Sequence, residues 1–322
     1  FYGLTTEDGL AKEGLAIRTD VLDELGLEKP YTIDEYEDTL AAFKDYGMKQ
    51  PLMMLAPGAI QDNWLSGAFD VAAFCNSFPM SVVPTYVQDG EIKFGPVEDG
   101  FKDYITLMHD WYEKGYIEAD FISDNSNWNS PDYANAITSG DAGIFYADQG
   151  NLGGYNDASE IPGFSVEATY DMHATKDSIN HFAQYTKKSV GNGFKITTNC
   201  GNVELACRWG DWWYTDEGSL LANYGVEGVS FDYVDGKPVL NETVTDAPEG
   251  MRDALLIYAS NDTICCVIDP TAVTSGYSDV DKAAPEIWNE GMDDTMVIPS
   301  TVTLSADENT RAANIYSDIE TI

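Results

Sequence analysis

The most distinctive stretch of the sequence is residues 204–228, which read ELACRWGDWWYTDEGSLLANYGVEG. It predicts a helix over about 202–214, on which Trp209, Trp212 and Trp213 occupy positions i, i+3 and i+4. That spacing is typical of a buried helix face, so we expect the three rings to be mainly structural. Because adjacent helical residues point about 100° apart, one of the two neighbouring rings should be partly exposed.

Two capping boxes mark the beginnings of helices. Thr32 with Glu35 precedes apolar residues at helical spacing, and Gly47 follows as a stop signal. Ser305 with Glu308 opens the last helix in the same way. These local signals predict helices near residue 33 and near residue 306.

Two further helices and several strands complete the pattern. An apolar stripe predicts a helix over 101–114 that ends at Gly115, and Ser130 followed by Pro131 opens another that Gly140 closes. Short apolar runs at 15–18, 142–146 and 193–196 predict strands, and the turns Asp89-Gly90 and Asp235-Gly236 predict two β-hairpins. Helices interspersed with short strands indicate an α/β protein.

Four stretches, taken in this order, carry a family resemblance: 14–27, 100–115, 139–144 and 204–228. Together they resemble the extracellular solute-binding proteins of bacterial ABC importers of the family 1 type, in the lipoprotein branch associated with oligosaccharide uptake. The resemblance extends over nearly the whole chain, from about Tyr2 to Ile322. It implies a two-lobed, periplasmic-binding-protein-like α/β fold of type II.

The resemblance also implies a division of the chain. Residues 1–17 are expected to be a remnant of lobe one with a hinge strand, 18–192 to form lobe two, and 193–322 to return to lobe one. Related proteins have further strands of lobe one upstream and a helical tail downstream, so we expect both to be missing from this chain. The missing N-terminal segment is expected to anchor the protein by a lipid on the outer face of the cytoplasmic membrane.

The function implied by the resemblance is capture of a carbohydrate. Hinge closure between two lobes traps the sugar, and the protein, expected to be a monomer, delivers it to ABC permease subunits. Such a protein is not an enzyme and needs no catalytic residue, cofactor or metal. The sequence alone leaves a second class open, a secreted glycoside hydrolase that uses an acidic pair, and a third, a surface adhesion module without an enclosed cleft.

Charge narrows the choice of partners. Fifty-five acidic residues against 17 basic ones give a net charge of −38, which argues against nucleic acid and against anionic membrane surfaces. With so few Lys and Arg, a neutral oligosaccharide is favoured over a sugar acid. We find no H-E-x-x-H, G-x-S-x-G or phosphate-binding loop, and the Asp- and Asn-rich stretch 124–132 lacks the Gly and closing Glu of a calcium loop.

Five residues form the predicted sugar-binding surface: Trp64, Trp128, Asp148, Gln149 and Asn151. Both Trp residues lie among polar neighbours and outside the periodic apolar stripes, where a large ring has no evident core to fill. The other three follow directly on a predicted strand, and ligands of α/β folds collect at the carboxyl ends of strands. The resemblance places the same three regions at the sugar-binding cleft.

Overall fold

The computed structural model describes residues 3–4, 12–54, 63–73, 84–121, 130–183, 189–190, 196–247, 251–259, 266–298 and 305–319. Its strands are β1 Gly3–Leu4, β2 Glu13–Arg18, β3 Gln50–Leu52, β4 Thr85–Gln88, β5 Glu91–Phe94, β6 Ala142–Asp148, β7 Val166–Ala168, β8 Ser189–Val190, β9 Phe231–Val234 and β10 Lys237–Leu240. Its helices are α1 Thr19–Leu25, α2 Ile33–Tyr46, α3 Asp99–Glu113, α4 Pro131–Thr138, α5 Leu152–Ala158, α6 Val203–Trp212, α7 Asp216–Tyr224, α8 Glu242–Thr245, α9 Met251–Tyr258, α10 Pro270–Thr274, α11 Asp279–Trp288 and α12 Ala306–Ile319.

The chain divides into two compact units. The larger unit comprises Ala11–Gln184 and Asp279–Ile322, and the smaller unit comprises Phe1–Leu10 and Tyr185–Ser278. Each unit is therefore assembled from two separate segments of the chain. Their assignment to the two lobes of a binding protein stays a prediction.

A four-stranded mixed sheet forms the centre of the larger unit, with the strand order β3-β6-β2-β7. β2 runs antiparallel to β6 and β7, whereas β3 runs parallel to β6. The inner strands β2 and β6 are almost completely buried, which explains their continuous apolar sequences. Helices α2, α3, α4, α5 and α11 contribute side chains to the same core.

The predicted helix boundaries are confirmed where capping chemistry specified them. At the start of α2 the Thr32 side chain accepts from the Glu35 N–H, and the Glu35 carboxylate accepts from the Thr32 N–H. Gly47 ends this helix at a φ of 107°, in the left-handed region that favours glycine. Ser305 and Glu308 form the second reciprocal box before α12.

Both predicted hairpins are also confirmed. β4 pairs with β5, and β9 pairs with β10. Each turn has two successive residues with positive φ, 53° and 78° in the first hairpin and 50° and 78° in the second. Glycine adopts a positive φ readily and Asp tolerates it, so Asp-Gly is a favoured pair for these two positions. The strand predicted at 193–196 lies almost entirely outside the described residues.

The expected division into lobes stays a prediction, but the two compact units group two elements differently from it. β2 was divided between the lobes at residue 17, but it is an inner strand of the larger unit's sheet. α11 was expected to return to lobe one, but it packs on the larger unit, where Trp288 is 2% exposed. The reason is a specific contact, since the Trp288 Nε1–H donates to the carbonyl of Leu15 in β2 at 2.8 Å.

The smaller unit has its own core around α7, α8 and the β9–β10 hairpin. Tyr224, Phe231 and Val244 are buried there. Asn223 crosses to a neighbouring segment through hydrogen bonds to the Val267 carbonyl and the Asp269 N–H, both at 2.8 Å. These contacts hold α7 against the chain that leads into α10.

Trp209 and Trp212 of α6, and Trp213 directly after it, differ from the expectation of a buried face. Trp209 is 53% exposed, and Trp212 and Trp213 are half-buried. The rings pack edge-on against one another, with centroid separations of 5.8 Å for Trp209–Trp213 and 4.9 Å for Trp212–Trp213. The prediction of a buried ring is therefore wrong for Trp209. Helical spacing predicts which residues lie on one face of a helix, but it does not predict whether another element packs on that face.

None of the helices in the described part of the chain is long and apolar enough to cross a membrane.

Candidate functional site

The end of β6 carries the first part of the candidate site. Asp148 is the last residue of β6 and lies opposite Glu13, the first residue of β2, in the antiparallel register. Side chains alternate along a strand, so Tyr146 and Asp148 lie on the same face of β6. The sheet thus brings two carboxylates and a phenol together at one end of its two inner strands.

Hydrogen bonds connect these three side chains. The Tyr146 hydroxyl lies 2.5 Å from Glu13 Oε2 and 2.8 Å from Asp148 Oδ1. Burial raises the pKa of Glu13, and the nearby Asp148 charge adds to that rise, whereas the hydrogen bond from Tyr146 opposes it. Burial and the two acidic neighbours also raise the pKa of Tyr146. A phenol has only one proton to donate, so the two carboxyl groups compete for it.

Trp64 packs directly against this group. Its ring is stacked on Tyr146, with centroids 5.3 Å apart and planes inclined by 25°. The Trp64 carbonyl accepts from the Met172 N–H at 2.8 Å, which secures the backbone. With 6% exposure, Trp64 belongs to the core of the larger unit. The premise that this ring has no core to fill is therefore wrong, because partners distant in sequence supply one.

The loop after β6 is held by backbone and side-chain contacts. The Gln149 N–H donates to the Lys12 carbonyl at 2.7 Å, and the Gln149 side-chain amide donates to the Asp281 carbonyl at 3.2 Å. Asn151 precedes α5, and its N–H donates to the Asp148 carbonyl at 3.1 Å. The loop consequently presents Asp148, Gln149 and Asn151 from a fixed backbone.

The structure groups some of the predicted residues and leaves one untested. Trp64 stacks on Tyr146, and Asp148 accepts a hydrogen bond from it, so both contact the same residue. Trp128 lies outside the described residues. Sequence reasoning missed Glu13 and Tyr146. The i, i+2 spacing of Tyr146 and Asp148 was an available signal for a shared face. No local signal pointed to Glu13, because its position depends on the register between β2 and β6.

Among the residues that the structure describes, no group of three or more His, Cys, Asp or Glu side chains is placed to hold a metal ion. His109 lies exposed on α3. The arrangement at the end of β6 is suited to hydrogen bonding, because it combines carboxylate acceptors, amide groups and aromatic rings.

Comparison with known proteins gives relatives at low sequence identity, and no family model matches the chain. Lipoprotein LipO of Bacillus subtilis is 22% identical over 248 residues, covering 73% of this chain and 47% of LipO. The fructooligosaccharide ABC transporter substrate-binding protein FusA of Streptococcus pneumoniae is 24% identical over 221 residues, covering 66% of this chain and 38% of FusA. The chain thus aligns with less than half the length of these two curated relatives.

A solved structure shows the same fold. A solute-binding protein of Bifidobacterium longum infantis, described as HMO-binding and as associated with an ABC transporter, superposes with a TM-score of 0.73 at 18% identity. The match covers 97% of this chain and 65% of that protein. The α/β, periplasmic-binding-protein-like fold class is confirmed. So is the resemblance to sugar-binding proteins of ABC transporters, to which this chain is similar in sequence and structure.

Proposed function

We propose that this chain is the carbohydrate-binding component of an ABC importer. The observation that carries the proposal is the cluster at the end of β6, where Glu13, Tyr146 and Asp148 are hydrogen-bonded and Trp64 stacks on the phenol ring. The relatives supply independent support, because FusA is described as a substrate-binding protein for fructooligosaccharides.

The chemistry of the cluster suits a polyhydroxylated ligand. Carboxylate oxygens accept hydrogen bonds from sugar hydroxyls, and such charge-assisted bonds are about twice as strong as neutral ones. In the proposal, Asp148 accepts from the sugar while Gln149 and Asn151 offer amide groups beside it. Trp64 is 6% exposed, so its proposed contribution is mainly to support Tyr146 by stacking on the phenol ring. Trp128 is proposed as a stacking platform from the sequence alone.

A neutral oligosaccharide is the proposed ligand class. Glu13 and Asp148 are acidic, and the whole chain has a net charge of −38. A uronic acid would bring a further negative charge to these carboxylates, and like charges in a partly buried site repel one another strongly. A neutral sugar avoids this repulsion and still provides hydroxyl donors.

The transport role is proposed from the family. Closure of two lobes around the sugar would present the loaded, monomeric protein to the permease subunits. LipO is described as a lipoprotein, which supports a location outside the cell with a membrane anchor. FusA and the Bifidobacterium protein are described as binding proteins of ABC transporters, so we propose that this chain binds its sugar without altering it.

Isothermal titration calorimetry tests the ligand class. The full chain is titrated with neutral oligosaccharides and with oligogalacturonides of equal length. A micromolar Kd, equivalent to about 8 kcal/mol, is expected for a neutral sugar. The Asp148→Asn variant should bind that sugar more weakly, whereas Asp157→Asn, which changes an exposed residue of α5, should bind as the unaltered protein does.

Product analysis separates binding from hydrolysis. After prolonged incubation, chromatography is expected to recover each bound oligosaccharide intact. Shorter products that disappear in the Glu13→Gln variant would instead establish the glycoside hydrolase alternative. Absence of binding across the whole neutral panel would contradict the proposed function.

A further inference from the structure

Asp281 contacts the loop that carries three of the predicted sugar-binding residues. This residue lies in the first turn of α11 and is 2% exposed. Its Oδ1 atom accepts from the backbone N–H groups of Gly150 and Gly153, each at 3.2 Å. A buried carboxylate requires such donors, because an unpaired charge in the protein interior is strongly unfavourable.

The bond from Gly153, in the first turn of α5, takes the place of an ordinary helix cap. The first N–H groups of a helix have no partner inside it, and the preceding side chain usually supplies one. At α5 that residue is Asn151, whose side chain makes no capping bond. The acceptor for the Gly153 N–H comes instead from Asp281, 128 positions later in the chain. Asn151 therefore does not have to cap its own helix.

The same helix contacts the loop a second time. The carbonyl of Asp281 accepts from the side-chain amide of Gln149 at 3.2 Å. One residue of α11 thus holds both the backbone at Gly150 and the side chain at Gln149. Gly150 has a φ of 100°, a conformation that favours glycine. Because glycine has more backbone freedom than other residues, contacts from outside the turn are needed to restrict it.

The opposite end of α11 supports the other part of the cluster. Trp288 donates its Nε1–H to the Leu15 carbonyl at 2.8 Å, and Leu15 lies opposite Tyr146 in the sheet. α11 is therefore connected to the loop at its beginning and to the strand beside Tyr146 at its end. One helix therefore contacts both the loop and the strand beside the Glu13–Tyr146–Asp148 cluster.

We propose that Asp281 is a positioning residue that holds the 148–151 loop in its sugar-binding conformation. The inference rests on the proposed function and adds a residue that does not itself touch the sugar. Without the carboxylate, the loop samples several conformations and must be ordered again when the ligand binds. Preorganised sites bind more tightly because this ordering has already occurred.

The test compares three variants of the full chain. Asp281→Ala removes the acceptor, Asp281→Asn retains a carbonyl oxygen at the same place, and Asp279→Ala is the matched control at an exposed acid of the same helical turn. Calorimetry with the neutral oligosaccharide bound by the unaltered protein gives Kd, and thermal unfolding gives stability. Amide hydrogen exchange, read at the Gly150 and Gly153 N–H groups without sugar, reports the loop directly.

We expect Asp281→Ala to weaken binding by about tenfold or more and to speed exchange at those two amides. Asp281→Asn should restore most of both properties, and Asp279→Ala should change neither. A merely structural role would lower the unfolding temperature of Asp281→Ala and leave its Kd unchanged, which would overturn the proposal. If the unaltered protein binds no sugar, the proposed function fails, whereas normal exchange at the two amides in Asp281→Ala overturns the positioning role by itself.

Discussion

Gly14 lies directly against the indole ring of Trp288. A Cβ atom at residue 14 would come within 2.4 Å of Trp288 Cδ1, much closer than non-bonded carbons approach. Because Gly14 has no side chain, α11 can pack closely against β2 at this residue. This contact and the Trp288–Leu15 hydrogen bond together hold the C-terminal segment in the larger unit.

Gly14→Ala should destabilise the protein by about 1–3 kcal/mol, because the added methyl group must displace a buried ring. Urea unfolding measures the change. Gly154→Ala is the control, since a Cβ there meets nothing within 4 Å and the residue lies inside α5. Helix propensity predicts that this control is neutral or up to about 1 kcal/mol more stable. Equal effects of the two substitutions would contradict the close packing.

Tyr146→Phe should lower the free energy of unfolding by about 1–3 kcal/mol at neutral pH. The substitution removes the hydroxyl that connects Glu13 and Asp148, so the two carboxyl groups lose the one donor that they share in a partly buried place. Tyr112→Phe, at an exposed position on α3, should change stability by less than about 0.5 kcal/mol. Chemical unfolding of both variants provides the measurement, and a neutral result for Tyr146→Phe would show that the bridge contributes nothing.

Because Asp171 is buried, we expect the protein to lose stability as the pH rises. Its side chain is 1% exposed, and within the described part of the chain neither carboxyl oxygen has a hydrogen-bond partner. Burial raises its pKa well above the ordinary value of 3.8, so the folded state retains the proton more strongly than the unfolded state. This contribution to stability is complete below pH 3.8 and is lost as the pH rises through the folded pKa.

Asp171→Asn should remove that pH dependence and stabilise the protein by about 1–3 kcal/mol at pH 8. Thermal unfolding between pH 4 and pH 8 compares the slopes of the variant and the unaltered protein. Asp157→Asn, which removes an exposed acid, should retain the original slope. If the unfolding temperature of Asp171→Asn changed with pH in the same way as that of the unaltered protein, Asp171 would not be the source of the pH dependence.

Thr32→Ala should destabilise α2 by about 1 kcal/mol, because its side chain caps the helix. Although burial opposes it, hydrogen bonds from Lys176, Thr32 and Tyr31 lower the pKa of Glu35 to about 2. The stability from Glu35 is therefore present above its ordinary pKa of 4.5 and is lost as the pH falls towards 2. Thr106→Ala, at an exposed position on α3, is the control for Thr32→Ala. It should be neutral or slightly stabilising in a chemical unfolding assay of both variants.

Trp128→Ala should weaken sugar binding by about 1–3 kcal/mol if the ring is a stacking platform. The fold should survive this change. Trp64→Phe is preferable to an Ala variant at the second position, because Trp64 is largely buried and its removal would leave a cavity. Calorimetry gives both affinities, with Tyr46→Ala as an exposed aromatic control. Unaltered affinity in Trp128→Ala and Trp64→Phe would remove both residues from the proposed site.

Local chemistry accounts for the parts of the fold that were predicted correctly. The capping box at Thr32 and Glu35 and the Asp-Gly turns involve residues no more than a few positions apart. Their hydrogen bonds and backbone angles form in the same way in many proteins. The order of the motifs along the chain was equally readable, and it led to the fold class without knowledge of any contact.

Long-range packing accounts for the errors. The polar neighbours of Trp64 suggested an exposed ring, but its core comes from Tyr146 and the backbone at Met172. The spacing of Trp209 suggested a buried ring, and the structure leaves half of it exposed. The spacing of apolar residues describes a single helix or strand, whereas the burial of a side chain depends on which other element packs against it.

The α/β class, the capped helices, the hairpins and the acidic character that disfavours anionic partners could all be predicted from the residues alone. The position of Glu13 opposite Asp148 on two strands, and the contacts by which Asp281 and Trp288 bring α11 to the same region, became known from the folded chain. The physical reason is separation along the chain. Hydrogen bonds between residues more than 100 positions apart arise only after the sheet register and the helix docking are established together.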